Sequence, residues 1–199
     1  MTISYLRIII SLTMKRLFVA VKIHPSPEFL KTYNSLKSGL RFCRITWVRP
    51  ESIHVTLKFF GETEEQRIPE LSRVLKEVAV RHKSFSSELA KVGIFGSSYS
   101  PKVIWFGIEH SEPLTKLGKD VLQSCEAIGW EPDRQNFVPH LTIGRIKEVP
   151  DKQLFQKMID EHKHDWLQEF SVVEFNLYES ILLKEGPVYK VIESYKLEH

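Results

Sequence analysis

The sequence predicts an α+β fold with an internal twofold echo, and three observations carry that prediction. Strand-like segments interleave with segments of helical period, and each half of the chain runs helix then strand. Each of those two strands contains the triplet His-x-Thr, at His54–Thr56 and His140–Thr142.

Lys15–Ile23 is rich in β-branched and aromatic residues and reads as a mostly buried first strand. Ser26-Pro27-Glu28 supplies an N-cap, a proline at the first helical position and an early acid, opening a helix to about Leu40. Thr46–Val48 and Ile53–Phe60 read as strands, the second stopping at Gly61. Thr63-Glu64-Glu65-Gln66 has capping-box spacing, and Ile68, Leu71, Val74, Leu75 and Val78 recur at helical period behind it. In the second half Val103–Ile108 is a strand, and Ser111-Glu112-Pro113 opens a helix carrying Leu114, Leu117, Val121 and Leu122. His140–Ile146 is a strand, and Asp151 begins a short helix through Ile159. Phe170–Tyr178 and Val188–Tyr195 close the chain as strands. Gly93–Pro101 and Glu131–Pro139, rich in turn formers, read as loops.

The domain is expected to span residues 14–196 as one unit. Residues 1–13, apolar around Arg7 and followed by Met14, read as a non-native or flexible leader; Leu197-Glu198-His199 reads as the stub of an affinity tag. The chain has 199 residues, 42% hydrophobic and 27% charged, with a formal charge of +3. That mild excess suits an anionic small molecule or an RNA end better than a long duplex footprint. Cys43 and Cys125 form neither a disulfide framework nor a metal-ligand pattern, which points to a reducing cytoplasm. No apolar run reaches the roughly 18 residues of a membrane span.

Chemistry concentrates in the two triplets. Side chains alternate faces along a strand, and same-face neighbours lie about 7 Å apart. His54, Thr56 and Lys58 are therefore expected on one face, with Ile53, Val55, Leu57 and Phe59 on the other. His140 and Thr142 likewise oppose Leu141 and Ile143. Opening a cyclic phosphate needs in-line attack by water and protonation of the departing ribose oxygen on the far side of phosphorus. One neutral imidazole can accept a proton while a second, protonated, donates one, and a pKa near 6.5 makes both states accessible. The threonine hydroxyls can hydrogen-bond the non-bridging oxygens. With a nearby cation this set needs no metal, and no cofactor is expected.

Each residue also has a plainer reading. A lone His-x-Thr in a strand is ordinarily a histidine satisfied by core hydrogen bonds or solvent; two copies on matching polar faces move the balance towards chemistry. Lys58 is open between a solvated charge and a phosphate contact. Arg145 has the wrong parity to join His140 unless Gly144 marks a bulge that turns it inward. Phe137 is either core or a stacking platform for a nucleobase. His24, His82, His110, His162 and His164 show no partner pattern and read as surface residues.

Around these motifs the chain resembles the 2H phosphoesterase superfamily, specifically the LigT-like RNA 2′,3′-cyclic phosphodiesterases. The resemblance runs through Lys15–Val21, Trp47–Gly61, Phe95 with Pro101–Trp105, Phe137–Arg145, and Ser180 with Gly186–Tyr189. It implies a bilobal fold in which two antiparallel sheets flank a central groove, with helices outside. It implies hydrolysis of a 2′,3′-cyclic end to a 2′-phosphomonoester, with His54 as proton donor and His140 as acceptor. From their positions beside the triplets, Arg145, Lys58 and Phe137 are the candidate substrate contacts. Implied partners are RNA with a cyclic phosphate end, including tRNA halves joined through a 2′–5′ linkage, or cyclic nucleotides; the expected form is a monomer. Other cyclic-nucleotide or 2′–5′ chemistry is the alternative, followed by an RNA-end binder without turnover.

Overall fold

The computed structural model describes residues 13–97, 99–133, 137–184 and 186–199. The leader expected over residues 1–13 lies outside the described residues except for Thr13. That residue's carbonyl accepts from the Glu65 amide, and its hydroxyl donates to the Glu65 carboxylate at 2.6 Å.

Two antiparallel sheets build the molecule. The first has the order β3 (His54–Glu64), β1 (Met14–Lys22), β8 (Glu174–Leu183), β9 (Gly186–Lys196). The second has the order β2 (Arg44–Trp47), β6 (His140–Glu148), β5 (Ser100–Glu109), β4 (Phe85–Ser97), β7 (Trp166–Val172). Among the described residues four helices accompany them: α1 (Pro27–Gly39), α2 (Ile68–Ala79), α3 (Glu112–Glu126) and α4 (Lys152–Glu161). The first strand shows why two faces exist. Leu17, Val19, Val21 and Ile23 join the main core, while the alternate residues Phe18 and Ala20 form a separate small cluster with Tyr178 on the other face. Buried on both faces, β1 therefore reads as continuously apolar.

Caps behave as their chemistry directs at two helices. The Ser26 hydroxyl accepts from the Phe29 amide with Pro27 behind it, and the Asp151 carboxylate accepts from the Leu154 amide. The expected capping box at Thr63 does not form. Thr63 is still in β3, its hydroxyl donates to the Gly61 carbonyl, and α2 starts after a 3-10 turn at Glu65–Arg67. Gly61, at φ 69°, does not end the strand; it carries β3 through a bulge to Glu64.

Three further expectations change. Within the expected loop Gly93–Pro101, Gly93–Ser97 and Ser100–Pro101 are not loop but paired ends of β4 and β5. Phe170–Tyr178 is two strands, and the chain changes sheet at Val173. Packing continues past the expected end at residue 196: Leu197 is buried, its amide donates to the Val173 carbonyl, and Glu198 forms a parallel bridge with Lys83. Two histidines assigned to the surface are partnered. His82 is buried against Asp120 at 2.9 Å, where Arg81 also forks onto the carboxylate, tying the end of α2 to α3. His162 bonds Asp165 at 2.7 Å and Ser35 at 3.0 Å.

Candidate active site

Strands β3 and β6, one from each sheet, approach each other and carry the two triplets. In both, the histidine opens the strand and its ring is fixed the same way. His54 Nδ1 donates to the Ser52 carbonyl at 2.7 Å, and His140 Nδ1 donates to the Val138 carbonyl at 2.9 Å. This sets the tautomer when the ring is neutral, and each Nε2, which bonds no other described residue, can exchange a proton. Thr56 and Thr142 sit two residues along, half-buried, and their hydroxyls bond no other described residue.

Both strands then bulge at the same place. On β3, Thr56 pairs with Ala20 and Lys58 with Val19, so Leu57 is an extra residue. On β6, Thr142 pairs with Trp105 and Gly144 with Ile104, so Ile143 is extra. A bulge of one residue inverts the parity beyond it. Lys58 consequently leaves the face of His54 and Thr56. It is 2% exposed and bonds the Glu131 carbonyl at 3.1 Å and Asp133 at 3.0 Å, which corrects its expected phosphate role. Phe59 turns to the His54 face instead, 61% exposed and 5.9 Å from Phe18.

The same inversion brings Arg145 to the face of His140. Its charge reaches both His54 and Tyr189 across the groove. The other side of Gly144 is closed: a Cβ there would meet Ile45 at 3.0 Å and Trp47 at 3.3 Å. Phe137 is placed away from the groove, packed against the main core with its ring over Gly118 of α3, which removes the stacking-platform option. It stands an odd number of residues from His140, so an extended chain directs it to the opposite face.

Aromatic residues that the motif reading did not single out as site groups complete the walls. Phe18 and Tyr189 flank the His54 ring at 5.0 and 5.2 Å, and Phe95 packs edge-on against the His140 ring at 4.7 Å. Trp105, paired with Thr142, contacts Phe95 and lies over Gly93, where any side chain would collide with it. Lys22 pairs with His54 across β1 and β3 and donates to the Glu51 carbonyl. The usable signal was the alternation Phe18-Ala20-Lys22 against Leu17-Val19-Val21. It placed a second face on β1, but only tertiary packing shows that this face meets His54.

Electrostatically His54 is held below the ordinary imidazole range. Burial is the main cause, opposed by the Ser52 carbonyl, with the Lys22 and Arg145 charges adding to the depression. Burial also raises the Tyr189 hydroxyl, keeping it neutral beside the ring.

This two-sheet groove with a histidine on each motif strand is the 2H phosphoesterase fold. A family model described as "2'-5' RNA ligase superfamily" matches residues 47–181, and the chain belongs to that superfamily. It is 33% identical over 183 residues to a protein of Thermotoga maritima named RNA 2',3'-cyclic phosphodiesterase, covering 92% of this chain and 96% of the relative. It is 34% identical over 180 residues to a protein of the same name from Archaeoglobus fulgidus, covering 88% and 96%. Among solved structures, TT0787 of Thermus thermophilus superposes with a TM-score of 0.72 at 26% identity, covering 92% of this chain and 97% of that one. The apo form of E. coli LigT gives 0.70 at 21% identity, covering 94% and 99%, which shows a shared fold.

Proposed function

We propose that the chain hydrolyses 2′,3′-cyclic phosphate ends of RNA to 2′-phosphomonoesters by acid–base catalysis between His54 and His140. The observation that carries this reading is the matched pair of rings, each with Nδ1 committed to a carbonyl and Nε2 bonding no other described residue, on strands that face each other from the two sheets. The names of the two relatives point the same way.

His140, neutral, takes a proton from water as the oxygen attacks phosphorus. His54, protonated, gives its proton to the 3′ oxygen as the P–O3′ bond breaks, leaving phosphate on the 2′ oxygen. Thr56 and Thr142 hold the non-bridging oxygens, and Arg145 offsets the charge that gathers there. The depressed pKa of His54 fits a donor that must release its proton readily. A bound phosphate anion counters Lys22 and Arg145 and draws the proton back on before reaction. An RNA 5′-hydroxyl in place of water would give a 2′–5′ linkage with the same two groups, the chemistry named in the family description.

Among the described residues no helix is long and apolar enough to cross a membrane. We assign the enzyme to the cytoplasm as a monomer acting on RNA ends such as tRNA halves; the free thiols of Cys43 and Cys125 support a reducing compartment. The test is a cyclic-ended RNA oligomer incubated with the protein in EDTA, with the product phosphate resolved by ³¹P NMR. The 2′-monophosphate alone is expected. A 3′-monophosphate, or turnover that EDTA abolishes, contradicts the reading.

A further inference from the structure

We propose that the cavity beside His54 on the groove face of the first sheet is a subsite for the nucleotide on the 5′ side of the cyclic end. The protein would then be selective for RNA ends of two or more nucleotides over free cyclic mononucleotides. The proposal rests on the acid–base reading above and adds where the rest of the substrate lies.

Reaction geometry sets the direction. Water enters phosphorus on the His140 side and the 3′ oxygen leaves towards His54. The ribose carries both the 2′ and 3′ oxygens, so the nucleoside and everything 5′ of it lie on the His54 side. That is where the cavity opens. It has a volume of about 580 Å³ and includes His54, yet takes its walls from β1, β8, β9 and the turn before β3, with no residue of the second sheet. Cavities of about 300–1,000 Å³ ordinarily hold small organic molecules, so there is room beyond the reacting phosphate.

The lining matches a nucleotide better than a bare anion. Lys22 and Arg49 are the cations. Lys22 commits one donor to the Glu51 carbonyl, and Arg49 reaches the Pro187 carbonyl at 3.4 Å and Glu51 at 3.7 Å; both have further N–H groups for a phosphodiester. Tyr178 and Tyr189 line the His54 end of the cavity; Tyr178 is buried with its ring stacked on Phe18, and the part-exposed Tyr189 is the ring on which a base can stack. Glu51 and Glu174 add carboxylates that can accept from a ribose 2′-hydroxyl or an exocyclic amine, groups that inorganic phosphate lacks. A free cyclic mononucleotide carries no 5′-linked phosphodiester, so it forgoes the contacts with Lys22 and Arg49.

The experiment compares kcat/KM for a 2′,3′-cyclic mononucleotide with that for a dinucleotide ending in the same cyclic nucleotide. It uses the wild-type protein, Arg49→Ala and Val191→Trp. The Arg49 side chain is 48% exposed and Val191 is 46% exposed, so both variants should fold, and the tryptophan would fill the cavity. Wild type is expected to prefer the dinucleotide by about tenfold or more, the scale of one charge-assisted hydrogen bond, and each variant to shrink that ratio towards one. Equal efficiency on both substrates in wild type overturns the subsite while leaving the acid–base reading intact. A preference that survives both variants overturns the location proposed here. No turnover of either substrate ends both readings together.

Discussion

The two triplets repeat one backbone design and fill it differently. Each fixes its histidine through the carbonyl two residues upstream and bulges after the threonine, turning the following pair of residues over. On β3 that pair is Lys58, driven into the interior, and Phe59, turned to the groove; on β6 it is Gly144, pressed against Ile45 and Trp47, and Arg145. The first lobe thus surrounds its imidazole with Phe18 and Tyr189 and with two nearby cations, one of them Arg145 from the second lobe. On the proposed mechanism, symmetry of the backbone would bring two like groups to one phosphorus, and asymmetry of the filling, which lowers the His54 pKa, would make one the readier donor.

Breaking either imidazole should have the largest effect. His54→Ala and His140→Ala should each lower kcat on a cyclic-ended dinucleotide by about 10²–10⁴-fold, the usual worth of a positioned acid or base, with an unchanged circular dichroism spectrum. The post-bulge residues sharpen the contrast. Arg145→Ala removes charge stabilisation and should cut kcat by about 10²-fold, whereas Phe59→Ala should act chiefly on KM. Away from the groove, Leu197→Ala should cost about 2 kcal/mol in urea unfolding, as expected for a buried leucine, without changing kcat. Smallest of all should be Lys58→Met. An apolar side chain of similar length suits the buried site, Asp133 is 41% exposed and can rehydrate, and kcat/KM should stay within about twofold of wild type.

Local chemistry was legible in the sequence and irregularity was not. Ser26 and Asp151 announced their helices because a cap is a local hydrogen bond. His54 with Thr56 and His140 with Thr142 could be set on common faces because two-residue spacing survives up to the bulge. Lys58 was misplaced because nothing in His-Val-Thr-Leu-Lys-Phe marks an extra residue, while Gly144 at least signalled one on β6. Strand β4 hid behind Gly93 and Gly96; Gly93 is there to admit the Trp105 ring, not to turn the chain. The change of sheet at Val173 has no glycine or proline to mark it. The walls of the site come from β1, β4, β5 and β9, segments far apart in sequence that only the finished sheets assemble.

The central claim is that one imidazole donates a proton while the other accepts one, and kcat/KM measured against pH tests it most directly. A donor must be protonated, so activity falls as pH rises through its pKa; an acceptor must be neutral, so activity falls as pH drops through its own. Burial and the Lys22 and Arg145 charges lower the His54 pKa. The descending limb of kcat/KM that belongs to His54 should therefore begin below the free-imidazole value of about 6.5, and the corresponding limb of kcat should lie higher once substrate anion is bound. In single turnovers with excess enzyme, His54→Ala should lose the alkaline limb and His140→Ala the acidic one. A complete bell in either variant would contradict the account.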